Sequence, residues 1–150
     1  MIERIIEIEA PRDICFDVIA DFRAYPNFLK TTTKVDVIEK SEKLLHAIFS
    51  VNVIKEISYT LEFRLNRPVG MSWNLVRGDL MSRNDGSWMF EAISPQTTRA
   101  IYRIDVQFGW LVPQKIVDML TETQLPDLMR SFKDRVESVA RSQESKRGVP

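Results

Sequence analysis

With 150 residues, 44% of them hydrophobic and 28% charged, the chain is long enough to close a core in one domain and too apolar to stay disordered. Its 21 Lys and Arg balance its 21 Asp and Glu, which excludes a global field drawing it to nucleic acid or an anionic membrane and leaves only local patches for such partners. No run approaches the roughly 18 apolar residues of a membrane span, Met1-Ile2-Glu3-Arg4 lacks an export pattern, and the single Cys15 has no internal disulfide partner, so a cytoplasmic protein is expected.

Ile2, Ile6 and Ile8 predict a short first strand ending near Glu9, since Pro11 suits the opening of a helix. Ile14, Cys15, Val18, Ile19 and Phe22 then share one helical face, with Arg12, Asp13, Asp17 and Asp21 elsewhere. Pro26 keeps Tyr25 out of helical dihedrals and suits a new short helix through Phe28 and Leu29, so a helix–kink–helix lid is expected. Val35 and Val37 mark a second strand, Lys40-Ser41-Glu42-Lys43 a turn, and Leu45, Ala47, Phe49, Val51 and Val53 a third strand. The clearest period of two runs through Ile57, Tyr59, Leu61, Phe63 and Leu65.

After a turn at Asn66 to Gly70, Met71, Trp73 and Leu75 form the next inward set. Gly78 to Gly86 reads as a longer connection, Trp88 and Phe90 as the start of another strand, and Ala100, Tyr102, Ile104, Val106 and Phe108 as the last. Beyond Gly109 the period turns helical, through Ile116, Met119, Leu120, Leu125, Leu128, Met129, Phe132, Val136 and Val139. That predicts a helix from about residue 112 to about residue 140, roughly 40 Å long, with a kink near Glu122 to Pro126. Residues 1–142 are thus read as one domain, and residues 143–150, which have no apolar period, as a disordered tail.

This order predicts an α+β fold: a curved antiparallel sheet of six to seven strands wrapped around a long C-terminal helix, with two short helices after the first strand. Twisted strands curl into a cup, and one helix roughly 10 Å across fills only part of it. The expected lining of the remaining cavity is Tyr25, Phe28, Phe49, Tyr59, Phe63, Trp73, Trp88, Phe90, Tyr102, Met119 and Leu120. Aromatic residues at strand spacing are commonly plain core. Tyr59, Tyr102, Trp73 and Trp88 weigh the other way, because their polar atoms need partners when buried.

Several segments together carry a resemblance. They are Glu9-Ala10-Pro11 leading into Phe16-Asp17-Val18-Ile19-Ala20-Asp21-Phe22, then Tyr25-Pro26-Asn27-Phe28-Leu29, Gly78-Asp79-Leu80, Gly86-Ser87-Trp88 and Gln124-Leu125-Pro126. From Ile2 to about Val139 the chain resembles the START-related helix-grip superfamily (SRPBCC), and within it the coenzyme-Q-binding and polyketide-cyclase branch, which also holds a ribosome-association toxin. The resemblance implies a hydrophobic small-molecule ligand between sheet and last helix: ubiquinone-like, another lipid, or polyketide-like. That branch often has a proline after the Phe-Leu of the lid, where this chain has Lys30.

The inventory for catalysis is thin. His46 and Cys15 are single and form no metal-ligand cluster with carboxylates, so neither a metal nor a cofactor is expected and no catalytic residue is assigned. His46 falls among the polar strand positions, and Cys15 on an apolar helix face reads as a small hydrophobe. Gly78, Asp79 and Gly86 have no phosphate-cradling spacing and read as turn residues. The reading is therefore a ligand-binding protein. One alternative is a cyclase or dehydratase in which Tyr59, Tyr102 or Arg77 polarises a carbonyl. The other is a ribosome-associated module using the mild basic excess of Arg130, Lys133, Arg135, Arg141, Lys146 and Arg147 over Asp134, Glu137 and Glu144. The oligomeric state has no sequence signal.

Overall fold

The alternating stretches form one antiparallel sheet of seven strands, and the computed structural model describes residues 1–53 and 55–147. In chain order the elements are β1 (Ile2–Ile8), α1 (Arg12–Ile19), a 3-10 turn (Phe22–Asn27), β2 (Thr32–Glu39), β3 (Leu44–Asn52), β4 (Glu56–Asn66), β5 (Gly70–Gly78), β6 (Met81–Ser94), β7 (Thr97–Phe108), α2 (Gln114–Met119), a π turn (Leu120–Gln124) and α3 (Leu125–Arg147). The sheet order is β1-β7-β6-β5-β4-β3-β2. Hairpins join every sequential pair from β2 to β7, and β1 closes against β7 with Ile2 opposite Ile104 and Ile8 opposite Thr98. The helix-grip α+β architecture is as expected.

The C-terminal helix packs unevenly, and this decides where the interior is solid. Leu125, Met129, Phe132, Val136 and Ala140 of α3 are buried, at the helical spacing that sets one stripe against the core. They share one buried cluster with Ile8, Cys15, Phe16, Ile19, Phe22 and Phe90, and α3 packs along α1 and β1, so the half of the cup beside α1 is filled. Neither α2 nor the π turn contributes a buried residue. The interruption falls just before Pro126: the Leu125 amide reaches back to the Leu120 carbonyl, an i→i−5 bond, in the stretch where the proline ring would crowd the Glu122 carbonyl. The kink expected near Glu122 to Pro126 is therefore a π turn, and it hands over from a half-buried helix to a packed one.

Three sequence expectations need correction here. Gly78 to Gly86 is not a long connection: β5 turns into β6 through Asp79 and Leu80 alone, and β6 pairs with β7 from Met81 opposite Phe108 onward. Leu80 takes the positive φ of 63° that this tight turn needs, a conformation disfavoured for a branched residue. The side chain of Asp79 anchors the turn by accepting from the Ser58 amide at 2.9 Å. Gly86 is mid-strand rather than a turn residue, and a Cβ there would lie 2.4 Å from the Trp73 ring, so its bareness lets that indole lie flat. Finally, residues 143–147 continue α3 instead of forming a tail, while residues 148–150 of that expected tail lie outside the described residues.

Arg77 shares parity with Trp73 in sequence, yet it is exposed. The register explains it: Leu61 faces Leu75 and Thr60 faces Arg77, so Val76 is an extra, bulged residue that turns Arg77 to the opposite face of the sheet. An inward role for Arg77 is thereby removed.

One polar clamp ties α3 to β1. Lys133 donates to the Glu7 carbonyl at 2.6 Å and to the Glu137 carboxylate at 2.7 Å, and Glu137 also accepts from the Glu9 amide at 2.8 Å. Burial alone would push the Glu137 carboxyl up, but these bonds and the Lys133 and Arg141 charges outweigh it and hold the group below its ordinary range. Because the folded value is depressed, the stabilisation is complete above the unfolded carboxylate range and disappears as pH falls through the folded value. Glu137→Gln is expected to cost about 1.5 kcal/mol at neutral pH and to flatten the loss of stability below about pH 4.5, read from urea melts across pH. An unchanged acid limb would contradict this.

Candidate ligand cavity

Beneath α2 and the π turn, where the helix stands off the sheet, lies a cavity of about 450 Å³, within the range of small-molecule sites. Most of its wall on the sheet side comes from inward positions of five adjacent strands, Phe49 and Val51 of β3, Tyr59, Leu61 and Phe63 of β4, Trp73 of β5, Asn84 and Trp88 of β6, and Tyr102, Ile104, Val106 and Phe108 of β7, with Ile2 of β1 and Thr32 of β2 at its margins. The helical side supplies Val117, Leu120, Thr121, Gln124, Leu125, Leu128 and Phe132. Met1, 89% exposed, stands at the rim with Val53 and Thr31, so the mouth is at the end of the sheet where β7 leads into α2.

Of the residues expected to line a cavity, Tyr25, Phe49, Tyr59, Phe63, Trp73, Trp88, Tyr102 and Leu120 meet around it. Phe28, Phe90 and Met119 do not. Phe90 is 1% exposed and wedged between Phe16 and Trp88 in the solid half of the core. Phe28 packs outside the cavity against Tyr25 and Phe132, with the Arg135 guanidinium 5.3 Å over its ring. Met119 belongs to α2, where helical rotation turns it away from Val117 and Leu120. Sequence reasoning missed Asn84, hidden in a polar stretch that read as loop. It also left Leu125, Leu128 and Phe132 in a helix stripe without carrying them to the wall.

The rings form a connected set of mostly tilted contacts. Trp88 lies 4.8 Å from Tyr102, Tyr102 5.8 Å from Trp73, Trp73 5.4 Å from Phe63, and Tyr59 stacks on Phe49 at 5.3 Å, all between centroids. Such mutual packing fixes the shape of the wall. The polar groups are few. Trp73 Nε1 donates to Asn84 Oδ1 at 3.1 Å, and Tyr25 donates to the Ile19 carbonyl, which pins the 3-10 turn over the sheet. Burial pushes the Tyr59 phenol up to about 12 and raises Tyr102 and Tyr25 as well, so all three remain neutral across the physiological range.

The single histidine and cysteine both lie away from this wall. His46 is on the outer face of β3, 3.7 Å from Glu62. Cys15 is sealed in the core, where burial raises its thiol to about 11 and leaves it unreactive. Among the described residues no group of three or more His, Cys, Asp or Glu is placed to hold a metal, and no helix is long and apolar enough to cross a membrane. Among the described residues Asp105 is the one carboxylate on the lining, and its alternation with Ile104 and Val106 sets it on the outer face of β7, where Arg83 engages it at 3.1 Å.

A twisted antiparallel cup gripping one helix over an aromatic hollow defines a helix-grip, START-like protein. More particularly, the chain belongs to the polyketide cyclase/dehydrase and lipid transport family, whose sequence model matches residues 8–133. Similar solved structures include a START superfamily protein from Mycobacterium smegmatis (17% identity, 92% of this chain and 97% of that one, TM-score 0.79). An aromatase/cyclase from Streptomyces sp. R1128 superposes comparably (16% identity, 99% and 98%, TM-score 0.79). Norcoclaurine synthase of Thalictrum flavum is more distant (11% identity, 95% and 94%, TM-score 0.68). At these identities the structures establish the shared fold alone. No curated protein matches the chain in sequence.

Proposed function

We propose that this protein binds and carries a hydrophobic small molecule, of quinone, lipid or aromatic polyketide type, in the cavity beneath α2 and the π turn. The observation that carries this reading is the hollow itself: about 450 Å³ walled by a connected set of rings, in a region where the covering helix fully buries no residue. Apolar surface left facing such a space gains free energy when a ligand displaces its water. The family supports a hydrophobic ligand; the choice among quinone, lipid and polyketide is ours to test. Native mass spectrometry of protein purified under mild conditions should reveal a bound mass. Added short-chain quinones should quench Trp73 and Trp88, which both line the cavity. Absence of any bound species, with no quenching across quinones, fatty acyl lipids and polycyclic aromatics, would refute it.

A second reading, a cyclase or dehydratase, is favoured by one feature: Tyr59 and Tyr102 are neutral hydrogen-bond donors within the cavity and suit a carbonyl that gains negative charge. Such chemistry also needs a proton acceptor. Among the described lining residues Asp105 is the one carboxylate, but it alternates with Ile104 and Val106 onto the outer face beside Arg83, so this reading rests on the two phenols alone. Tyr102→Phe should then lower turnover of a poly-β-ketone; equal turnover in both proteins would eliminate this role. The ribosome-associated alternative draws less support, since Lys133 is spent on the β1 clamp, Arg130 pairs with Asp127 at 2.9 Å, and Arg135 covers Phe28.

A further inference from the structure

We propose that the ligand is electrically neutral and is oriented by an acceptor oxygen, of carbonyl type, that takes the hydroxyl hydrogen bond of Tyr59, of Tyr102 or of both. This rests on the cavity being a binding site and goes on to specify what it selects.

The three cavity tyrosines are not equivalent. The Tyr25 hydroxyl is consumed by the Ile19 carbonyl and serves the fold. Among the described residues, Tyr59 and Tyr102 donate to nothing, although Tyr102 is only 5% exposed. Neither hydroxyl is a sealed orphan, because no fully enclosed side-chain polar atom lacks a partner among the described residues. Both must therefore open onto the cavity that their rings line. The strands offer them no substitute, since inter-strand pairing occupies the neighbouring carbonyls of β4 and β7. A hydroxyl held in apolar surroundings without an acceptor is costly, so an acceptor brought by the ligand completes the wall.

The remaining polar atoms point the same way. Asn84 has its oxygen occupied by Trp73, which leaves its amide with only a weak contact to Met81 Sδ at 4.0 Å. On the sheet wall the unused capacity is thus weighted toward donors, which discriminates for an acceptor on the ligand, while Gln124 of the helical side offers both kinds of group. Charge is discriminated against by the same lining. Among the described residues it contains no Lys, Arg or His side chain, its one carboxylate turns outward to Arg83, and the remaining charge, the Met1 ammonium, stands at the solvent-exposed rim. An anionic head drawn among these rings would lie unpaired in a low-dielectric space, and the tyrosines stay protonated and supply no charge of their own.

Three rigid tricyclic probes test this: fluorenone, fluorene, which replaces the carbonyl by a methylene, and fluorene-9-carboxylate. Their dissociation constants are measured by equilibrium dialysis against the full chain and against the Tyr59→Phe/Tyr102→Phe double variant, whose fold is checked by circular dichroism and melting. Wild type should prefer fluorenone over fluorene by about ten-fold, the worth of one or two neutral hydrogen bonds, and should bind the carboxylate weakest at pH 7. The double variant should lose the ketone preference while holding fluorene within about two-fold. Equal affinity for ketone and hydrocarbon in wild type, a preference that survives the double substitution, or tightest binding of the carboxylate would overturn the proposal with hydrophobic binding intact. Failure of every probe to bind would overturn the binding reading itself.

Discussion

Phe22→Ala should lower stability by about 3–5 kcal/mol and the melting temperature by on the order of 10 °C. Phe22 is 2% exposed and stands where the 3-10 turn meets the sheet, with its ring 4.3 Å from Phe63, 5.5 Å from Tyr25 and 6.4 Å from Phe49. It does not line the cavity, yet three of the rings that do lean on it. Removing it opens a second void beside the first. The wall rings could then slide inward, which recovers contact at the expense of the cavity's shape. Phe28→Ala should cost far less, because Phe28 is only partly buried. Urea and thermal melts of both variants measure the difference. A loss under about 1 kcal/mol for Phe22→Ala would mean that the cluster repacks freely and that the wall is not the rigid surface its stacking implies.

The architecture was legible in the sequence because the periods were clean. Ile57, Tyr59, Leu61, Phe63 and Leu65 alternate with polar neighbours and form β4. Leu125, Met129, Phe132 and Val136 keep helical spacing and form the buried stripe of α3. The cavity wall was legible where large rings sat on those periods. It failed at β6, where the inward positions are Asn84 and Gly86 followed by Trp88. Asparagine and glycine resemble a loop because local preference reports only backbone freedom. Here one is held by the Trp73 indole and the other accommodates the same ring, and neither fact is local. The turn was missed for the converse reason: its left-handed residue is Leu80, which no turn rule selects. The bulge at Val76 likewise escaped parity counting, which set Arg77 with the inward residues, although the rarity of unpaired buried arginine already favoured the solvent side that it takes. Phe90 and Met119 had the right composition and the wrong surroundings, since a period says which face a residue shares and nothing about where along that face the core is hollow.

That division between solid and hollow halves separates two jobs. Thr98, fully buried, donates to the Ala10 carbonyl at 2.7 Å, and with Ile8, Ile19 and Val136 it lies where α1, β1, β7 and α3 converge. Substitutions there should act on stability. Positions beneath α2 and the π turn carry little packing with that helix and can change with small effects on folding, which leaves them free to determine what is bound.

Val106→Trp should weaken binding of any hydrophobic occupant by about ten- to a hundred-fold while the melting temperature holds or rises. Val106 lies on β7 opposite Asn84, facing the same cavity near its mouth. An indole in place of its isopropyl group occupies space that a ligand needs, and it meets open volume instead of packed neighbours, so the usual penalty of overpacking falls on the ligand rather than on the fold. Buried apolar area gained in the hollow adds to stability. The control is Val76→Trp: Val76 is 46% exposed on the outer side of the β5 bulge, so the same added ring there should leave affinity unchanged. Dialysis with fluorene and quenching by short-chain quinones give the readout. Equal weakening by the two variants would place the bound molecule on the outer surface, and undiminished affinity in Val106→Trp would remove the hollow from the account of binding altogether.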